Sequence, residues 1–523
     1  MKTKPQGFIA ILLAALLAVG AVQPASAADA YTPGSIPQKE GHIDIVLDDG
    51  VYTGLNATIK VWKITERWDN GFSNMTIETG CEALDQAPCD LSKVGDKDYH
   101  FSAEMNMPIC ESATQEFCID GLQIYQAGSA PVDATFIGYG GGPSVAPNQK
   151  LKLPGGKPVA LFQGAVNHAG GTNTYALQAN GQYEYDYDAK VFDFTNLAVA
   201  VIPYEERFNP QVRPPRYIDS GNGKKSLSTW GGDGYIWSDE GKYGFIQDFN
   251  LDTRVKLKLR VPNQIKGWLK GRVTEPEFSS TRFSSTANLV TLDASPVVVP
   301  RLRVLATDAQ RTPMMKKYQM WSDGRPQSSG GMFATAEGNE AINWVNDLKG
   351  VAKDTAAGQS TVWQYAATKW GTGECDAKTN GISGIVFTNA MAYAGNAPQL
   401  KKGFLDYKVA GFHYLPNGEE AIGSYDLIMK SEVARCLYGL SKAPVSATIT
   451  ISGEGDKNIA TTVLREKNGW LKLGAYGFTF SSKTIKVKLT QKKQTTITCV
   501  APGKKSKKVT AVNPKCPKGF KKK

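Results

Sequence analysis

The 523-residue sequence predicts a mainly β, multidomain protein. Three observations carry this reading. Short stretches alternate apolar and polar residues, most plainly from Arg254 to Val261. There Val255, Leu257, Leu259 and Val261 form one face, and Arg254, Lys256, Lys258 and Arg260 the other. The 53 glycines and 27 prolines are spread along the chain and punctuate it with turns, as many short strands require. Finally, no helical period separates the strand-like runs of the C-terminal half, which argues against a parallel α/β sheet. At roughly 100–200 residues per domain, about three domains are expected.

Taken in order, residues 1–27 read as a cleaved export signal. Lys2 and Lys4 precede the apolar run Phe8 to Val22, and Ala25-Ser26-Ala27 is a small-x-small cleavage site. Residues 28–305 form a β-rich N-terminal region. It starts with a hairpin, His42 to Gly50 followed by Asn56 to Thr65. Gln182 to Asp188 alternates Tyr183, Tyr185 and Tyr187 with Glu184, Asp186 and Asp188. This is a strand whose tyrosines pack on a core, with a sugar- or calcium-binding face as the rival reading. The cation ladder of Arg254 to Arg260 suits either an anionic polymer or an edge strand protected from aggregation. Residues 306–375 are a mixed region with a helix near 340–353, capped by Asn339 and carrying Ala341, Trp344, Val345, Leu348 and Ala352 on one stripe. Residues 376–490 hold about seven short strands separated by turns, the pattern of an immunoglobulin-like β-sandwich. Residues 491–523 are a basic two-Cys tail.

Catalytic signatures are missing. Gly138-Tyr-Gly-Gly-Gly142 is followed by Pro143 and not by a helix that could hold a phosphate. Gly381-Ile-Ser-Gly384 is one residue short of a nucleophile elbow. The four histidines, His42, His100, His168 and His413, lie far from one another and from any Cys pair, so metal binding is not expected. The nearest thing to a sugar site is Asp233, Asp239, Glu240 and Asp248 among Trp230, Tyr235, Trp237 and Tyr243. A surface hairpin with buried aromatics explains that mixture more simply. No catalytic, cofactor-binding or metal-ligating residue is assigned.

Charge and cysteines say more. The formal charge is +11, yet sixteen lysines and no Asp or Glu lie between Lys467 and Lys523, leaving a net −5 on the rest. Eight cysteines fit an oxidising compartment. Their order suggests neighbour pairs, Cys81 with Cys89, Cys110 with Cys118, Cys375 with Cys436 and Cys499 with Cys516, among roughly 105 possible connectivities. The tail offers Lys504, Lys505, Lys507, Lys508, Lys515, Lys518, Lys521, Lys522 and Lys523 to an anionic partner. Phe520 is its only aromatic residue, so base stacking is not provided for and nucleic acid is not expected.

Thr496-Ile-Thr-Cys499, the Gly503 to Val509 turn and Pro514 to Lys523 resemble the ends of uncharacterised exported, cell-surface proteins of actinobacteria. The stretch from Ala434 to Phe480 resembles the same group. The resemblance covers the last quarter of the chain and implies secretion and surface retention, with no activity. The sequence therefore predicts a secreted or cell-envelope-associated, non-enzymatic binding or structural protein. Its basic C-terminal module would hold it to an anionic wall or surface polymer, with no transmembrane segment after signal cleavage. The alternatives are a secreted carbohydrate-active enzyme using paired carboxylates and a glycan-binding module.

Overall fold

The computed structural model describes residues 41–48, 58–67, 73–81, 98–219, 225–228, 234–322, 325–326, 332–368, 374–377, 381–441, 445–452, 461–480, 483–491, 495–511 and 514–523. The expected leader, the Asp49-Gly50 turn, Cys89, Trp230 and Asp233 lie outside these residues.

Strands dominate the chain, as expected. The largest sheet follows one path of eleven strands. Its order is Ser73–Cys81, Thr58–Arg67, Tyr99–Asn106, Thr174–Asp186, Val191–Phe208, Gly358–Thr368, Gly267–Arg272, Ile382–Thr388, Ile422–Lys430, Trp470–Thr479 and Thr461–Lys467. The path runs without interruption from the 28–305 stretch into the 376–490 stretch. Gly267–Arg272 pairs in parallel with Ile382–Thr388; the other neighbours along the path are antiparallel.

A four-stranded sheet covers part of one face, in the order Thr274–Arg282, Ala287–Ser295, Thr253–Pro262, Cys118–Gln126. The alternation of Thr253–Pro262 is realised in full: Val255, Leu257, Leu259 and Val261 are at most 1% exposed and face the core, where they meet Trp363, Phe387 and Ile428. The strand is not an edge, however; it has a partner on each side. Its terminal cations pair with carboxylates of those neighbours, Arg254 with Asp293 at 2.7 Å and Arg260 with Asp120 at 2.6 Å. Such charge pairs between neighbouring strands, here on the diagonal of the register, stabilise the sheet. Tyr183 and Tyr185 are core residues, edge-on to Phe117, Phe194 and Phe192. Gly140 and Gly141 serve packing: a Cβ on Gly140 would lie 2.7 Å from that of Trp237, and one on Gly141 would collide with Ser238 O.

The second core lies between the other end of the large sheet and a five-stranded sheet. That sheet runs Ala392–Tyr393, Phe404–Ala410, Lys483–Gln491, Val445–Ser452, with Gln399–Lys401 at its side. Val386, Tyr425, Leu427 and Leu473 from one sheet meet Leu405, Tyr407, Ile485 and Val487 from the other. Ile382–Thr388 is buried along its whole length, because Ile385 and Phe387 enter the first core while Val386 enters the second. One element of this stretch was not expected, the helix Ser431–Tyr438, closed by Gly439 in the left-handed conformation at φ 61°.

The first strand corrects the expected hairpin. His42–Asp48 pairs antiparallel with Arg303–Thr307 and parallel with Met332–Thr335, while Thr58–Arg67 pairs with Ser73–Cys81 and Tyr99–Asn106. Ile43, Ile45 and Leu47 thereby bury against Trp344, Val345 and Leu348 of the helix Asn339–Leu348. That helix carries the expected stripe but is shorter than expected. Gly338, at φ 100°, is its cap, and Asn339 is its first helical residue.

Cys110–Cys118, Cys375–Cys436 and Cys499–Cys516 form disulfides. The last one closes the tail into a knuckle, a three-stranded sheet in the order Lys504–Ala511, Thr495–Ala501, Lys521–Lys522. Its apolar content is small: Cys499 is buried and Ile497 and Phe520 are half-buried. A unit with so little core depends on its crosslink. Replacing Cys499 and Cys516 by serine is expected to destabilise the knuckle by about 3 kcal/mol, for a bridge spanning 17 residues. Hydrogen exchange checks this: protection should fall across 495–511 and stay unchanged in Thr253–Pro262.

Candidate functional site

The knuckle presents its lysines without competition. Lys504, Lys505, Lys507, Lys508, Lys515, Lys518, Lys521, Lys522 and Lys523 are all exposed. Lys507 and Lys522 stand level with Cys499 on its two sides. Phe520 lies 5.1 Å from the Lys507 ammonium and 6.0 Å from that of Lys504. A ring face attracts cations, so Phe520 draws two of the charges together.

The acid and aromatic residues singled out in the sequence do not converge. Trp237 is 6% exposed and packs edge-on against Tyr204. Asp239 and Glu240 sit exposed at the tip of the hairpin Tyr235–Asp239 and Lys242–Ile246, where Glu240 faces Arg213 at 3.6 Å. Asp248 accepts from the Thr361 main-chain N–H at 2.7 Å; burial raises its pKa, and the bonds from Thr361 oppose the rise. His168 is 1% exposed; it holds Tyr204 O at 2.9 Å and the Gly170 N–H at 3.1 Å. His413 contacts Asp354 at 2.6 Å and Lys349 at 3.2 Å. Among the described residues no group of three His, Cys, Asp or Glu is placed to hold a metal ion.

A site that the sequence did not announce lies where the two large sheets meet. It is a cavity of about 510 Å³. Trp268 and Lys270 enter it from one face of Gly267–Arg272, alternating with Leu269 in the first core. Glu337 stands opposite, just before the helix Asn339–Leu348. Its backbone is held by Tyr393: the Tyr393 N–H donates to Ala336 O at 3.0 Å and the Gly338 N–H to Tyr393 O at 2.8 Å. The Glu337 carboxylate is in direct contact with the Lys270 ammonium. Gly395 makes room for it, since a Cβ there would lie 2.5 Å from Glu337 Oε1. The Trp268 ring lies on Gly384, where any side chain would collide with it.

The third charged group, Asp376, is 8% exposed and accepts from Trp268 Nε1 at 3.4 Å. It comes from the one-turn helix Glu374–Ala377. The Cys375–Cys436 disulfide clamps that helix to Ser431–Tyr438, which contributes Leu437 to the same cavity. A crosslink thus fixes two wall residues, one beside each cysteine. Burial pulls the Lys270 ammonium down to about 8, and the touching carboxylate favours its charged form.

No family model, curated protein or solved structure matches the chain. The site therefore stands on its geometry. Sequence reasoning missed it because its members come from seven separate stretches. The local trace was Lys270 and Arg272 alternating with Leu269 and Val273.

A second, smaller hollow of about 380 Å³ lies between the four-stranded sheet and the far edge of the large one. Lys256, Arg465, Lys467 and Lys472 line it with Glu277 and Asp293, and Phe278 meets Trp470 edge-on in its wall.

Proposed function

We propose that this is an exported, non-enzymatic protein of the cell envelope, held at the surface by its C-terminal knuckle docked on an anionic polymer. The observation that carries this reading is the charge of the knuckle. Nine exposed lysines are displayed on a crosslinked sheet, and the last Asp or Glu of the chain is Glu466. Unopposed like charges on one small surface create a potential that attracts polyanions. The disulfide limits how far the charges can separate, so less order is lost when a polymer neutralises them. The disulfides among the described residues fit an oxidising compartment. No helix among the described residues is long and apolar enough to cross a membrane. The likeness of the tail to the ends of exported actinobacterial proteins supports the same assignment.

The test is sedimentation with purified cell walls. It compares the full chain with a variant in which Lys504, Lys505, Lys507, Lys508, Lys521, Lys522 and Lys523 are glutamine. Both cysteines remain in each. The parent is expected to bind at low salt and to release by roughly 0.5 M NaCl, where the Debye length falls to a few ångströms. The variant should bind at least about tenfold more weakly. Equal, salt-insensitive binding by the two chains would defeat the proposal.

A further inference from the structure

The cavity beneath Trp268 has no part in surface attachment, and its chemistry is of another kind. Its wall combines charges of both signs, Lys270 against Glu337 and Asp376, with the amides of Asn396 and Gln399 and the rings of Trp268 and Tyr407. Those charges sum to −1, so the cavity does not favour the polyanion proposed for the knuckle.

We propose that this cavity is a saccharide-binding site, in which Glu337, Lys270 and Asp376 hydrogen-bond the hydroxyls of a neutral sugar whose C–H face rests on Trp268.

The pairing of Lys270 with Glu337 sets a cationic donor beside an anionic acceptor on one wall. A vicinal diol is complementary to that arrangement, because each hydroxyl both donates and accepts. Asp376 supplies a second acceptor. It belongs to the neighbourhood of Trp268, and Glu337 to that of Lys270. Residues two apart on a strand are separated by about 6.6 Å, so the two carboxylates address different hydroxyls of one ring. Hydrogen bonds to charged groups are the strong ones in sugar-sized ligands. The volume falls in the range of roughly 300–1,000 Å³ common to small-molecule sites, which leaves room for one or two sugar units. A bare cation is the competing occupant of a net-negative cavity, and the Lys270 ammonium repels it.

The architecture is that of a built site. Gly384 and Gly395 are the residues whose missing side chains admit the Trp268 ring and the Glu337 carboxylate. The Cys375–Cys436 disulfide holds Asp376 in place. Groups fixed in this way lose little freedom when a ligand arrives.

The experiment is calorimetric titration of the full chain, with tryptophan fluorescence in parallel, in high salt that silences the knuckle. One panel holds neutral mono- and disaccharides, including glucose, mannose, galactose, N-acetylglucosamine and their β-linked dimers. A second holds simple alkylamines and choline. At least one saccharide is expected to bind, with Kd on the order of 1 mM or tighter, and to perturb the fluorescence. Glu337→Gln and Asp376→Asn preserve shape and should each weaken it about tenfold, as befits the loss of a charged acceptor. Gly395→Ala, which pushes a methyl toward the Glu337 carboxylate, gives a third variant should either of the others fail to fold. No saccharide bound at concentrations far above 1 mM, undiminished binding by the folded variants, or binding of the amines alone would each overturn the proposal.

Discussion

Replacing Arg272 by methionine is expected to destabilise the protein by about 3–5 kcal/mol, because several buried main-chain carbonyls lose a charged donor at about 1–3 kcal/mol each. Arg272 lies on the same face of Gly267–Arg272 as Trp268 and Lys270, and it is 0% exposed. Its Nη1 donates to Thr388 O at 3.0 Å and to Ala390 O, and its Nη2 to Met391 O at 3.4 Å. The guanidinium also lies 4.5 Å from the Tyr393 ring centroid. The acceptors belong to the segment that leaves Ile382–Thr388 for the five-stranded sheet, a chain crossing between two cores. Methionine approximates the volume but leaves those carbonyls buried with lost partners, each costing about 1–3 kcal/mol. Lysine at the same position keeps the charge and loses the planar fork, so Arg272→Lys should fall between parent and Arg272→Met. Urea denaturation at neutral pH with the disulfides intact measures both. A loss below about 1 kcal/mol for Arg272→Met would show that the network is not stabilising. The effect should also reach the cavity, because Tyr393 holds the backbone of Glu337 in register.

The legibility of this fold in its sequence depended on how local each signal was. Thr253–Pro262 could be recognised because each of its faces meets a single environment, core on one side and half-exposed charge on the other. Ile382–Thr388 sits between two cores and is buried on both faces, so it has no alternation to read, only an apolar run. Gly358–Thr368 lies inside the same sheet and is likewise buried on both faces, with Trp363, Tyr365 and Ala367 in the first core and Val362 buried on the other side. Pairing was less legible still. Nothing in His42–Asp48 specifies Arg303–Thr307 as its neighbour, because the match is made by the shared core with Trp344. The helix Ser431–Tyr438 did leave a trace in Gly439 but is short enough to be taken for a turn. The lysines of the knuckle were visible because charge is a property of composition. The cavity was not, since Trp268, Glu337 and Asp376 become neighbours only after two sheets and a disulfide assemble.

The second large effect concerns pH. Stability should fall by about 4 kcal/mol as pH rises from about 4 to about 9, and Asp426→Asn should remove that fall. Asp426 is 0% exposed, on the strand Ile422–Lys430, opposite Gly474. The absence of a side chain at Gly474 lets the Tyr476 hydroxyl reach across; a Cβ there would lie 2.6 Å from it. That hydroxyl donates to Asp426 Oδ1, while Oδ2 has no hydrogen-bond partner. Burial pushes the carboxyl up from 3.8 to about 7, against the opposing pull of Tyr476, Lys472 and the Glu275 main chain. Glu275 adds its own negative charge, which raises the value further. The Lys472 ammonium, which also donates to Pro276 O at 2.8 Å, lowers the value but does not offset burial. The sign follows from linkage. The folded state holds the proton more tightly than the unfolded chain, so the stabilising contribution is complete below the unfolded value near 4. It is lost as pH climbs through about 7, and the folded protein must then carry a buried carboxylate. Asparagine still accepts from Tyr476 and never ionises. Denaturation curves of the parent and Asp426→Asn should therefore diverge steadily above about pH 4, in favour of the variant, and run parallel once pH is well above 7. Curves that stay parallel across the whole range would show that Asp426 is ionised in the folded protein throughout, and that the buried pocket around Tyr476 and Lys472 is polar enough to hold the charge.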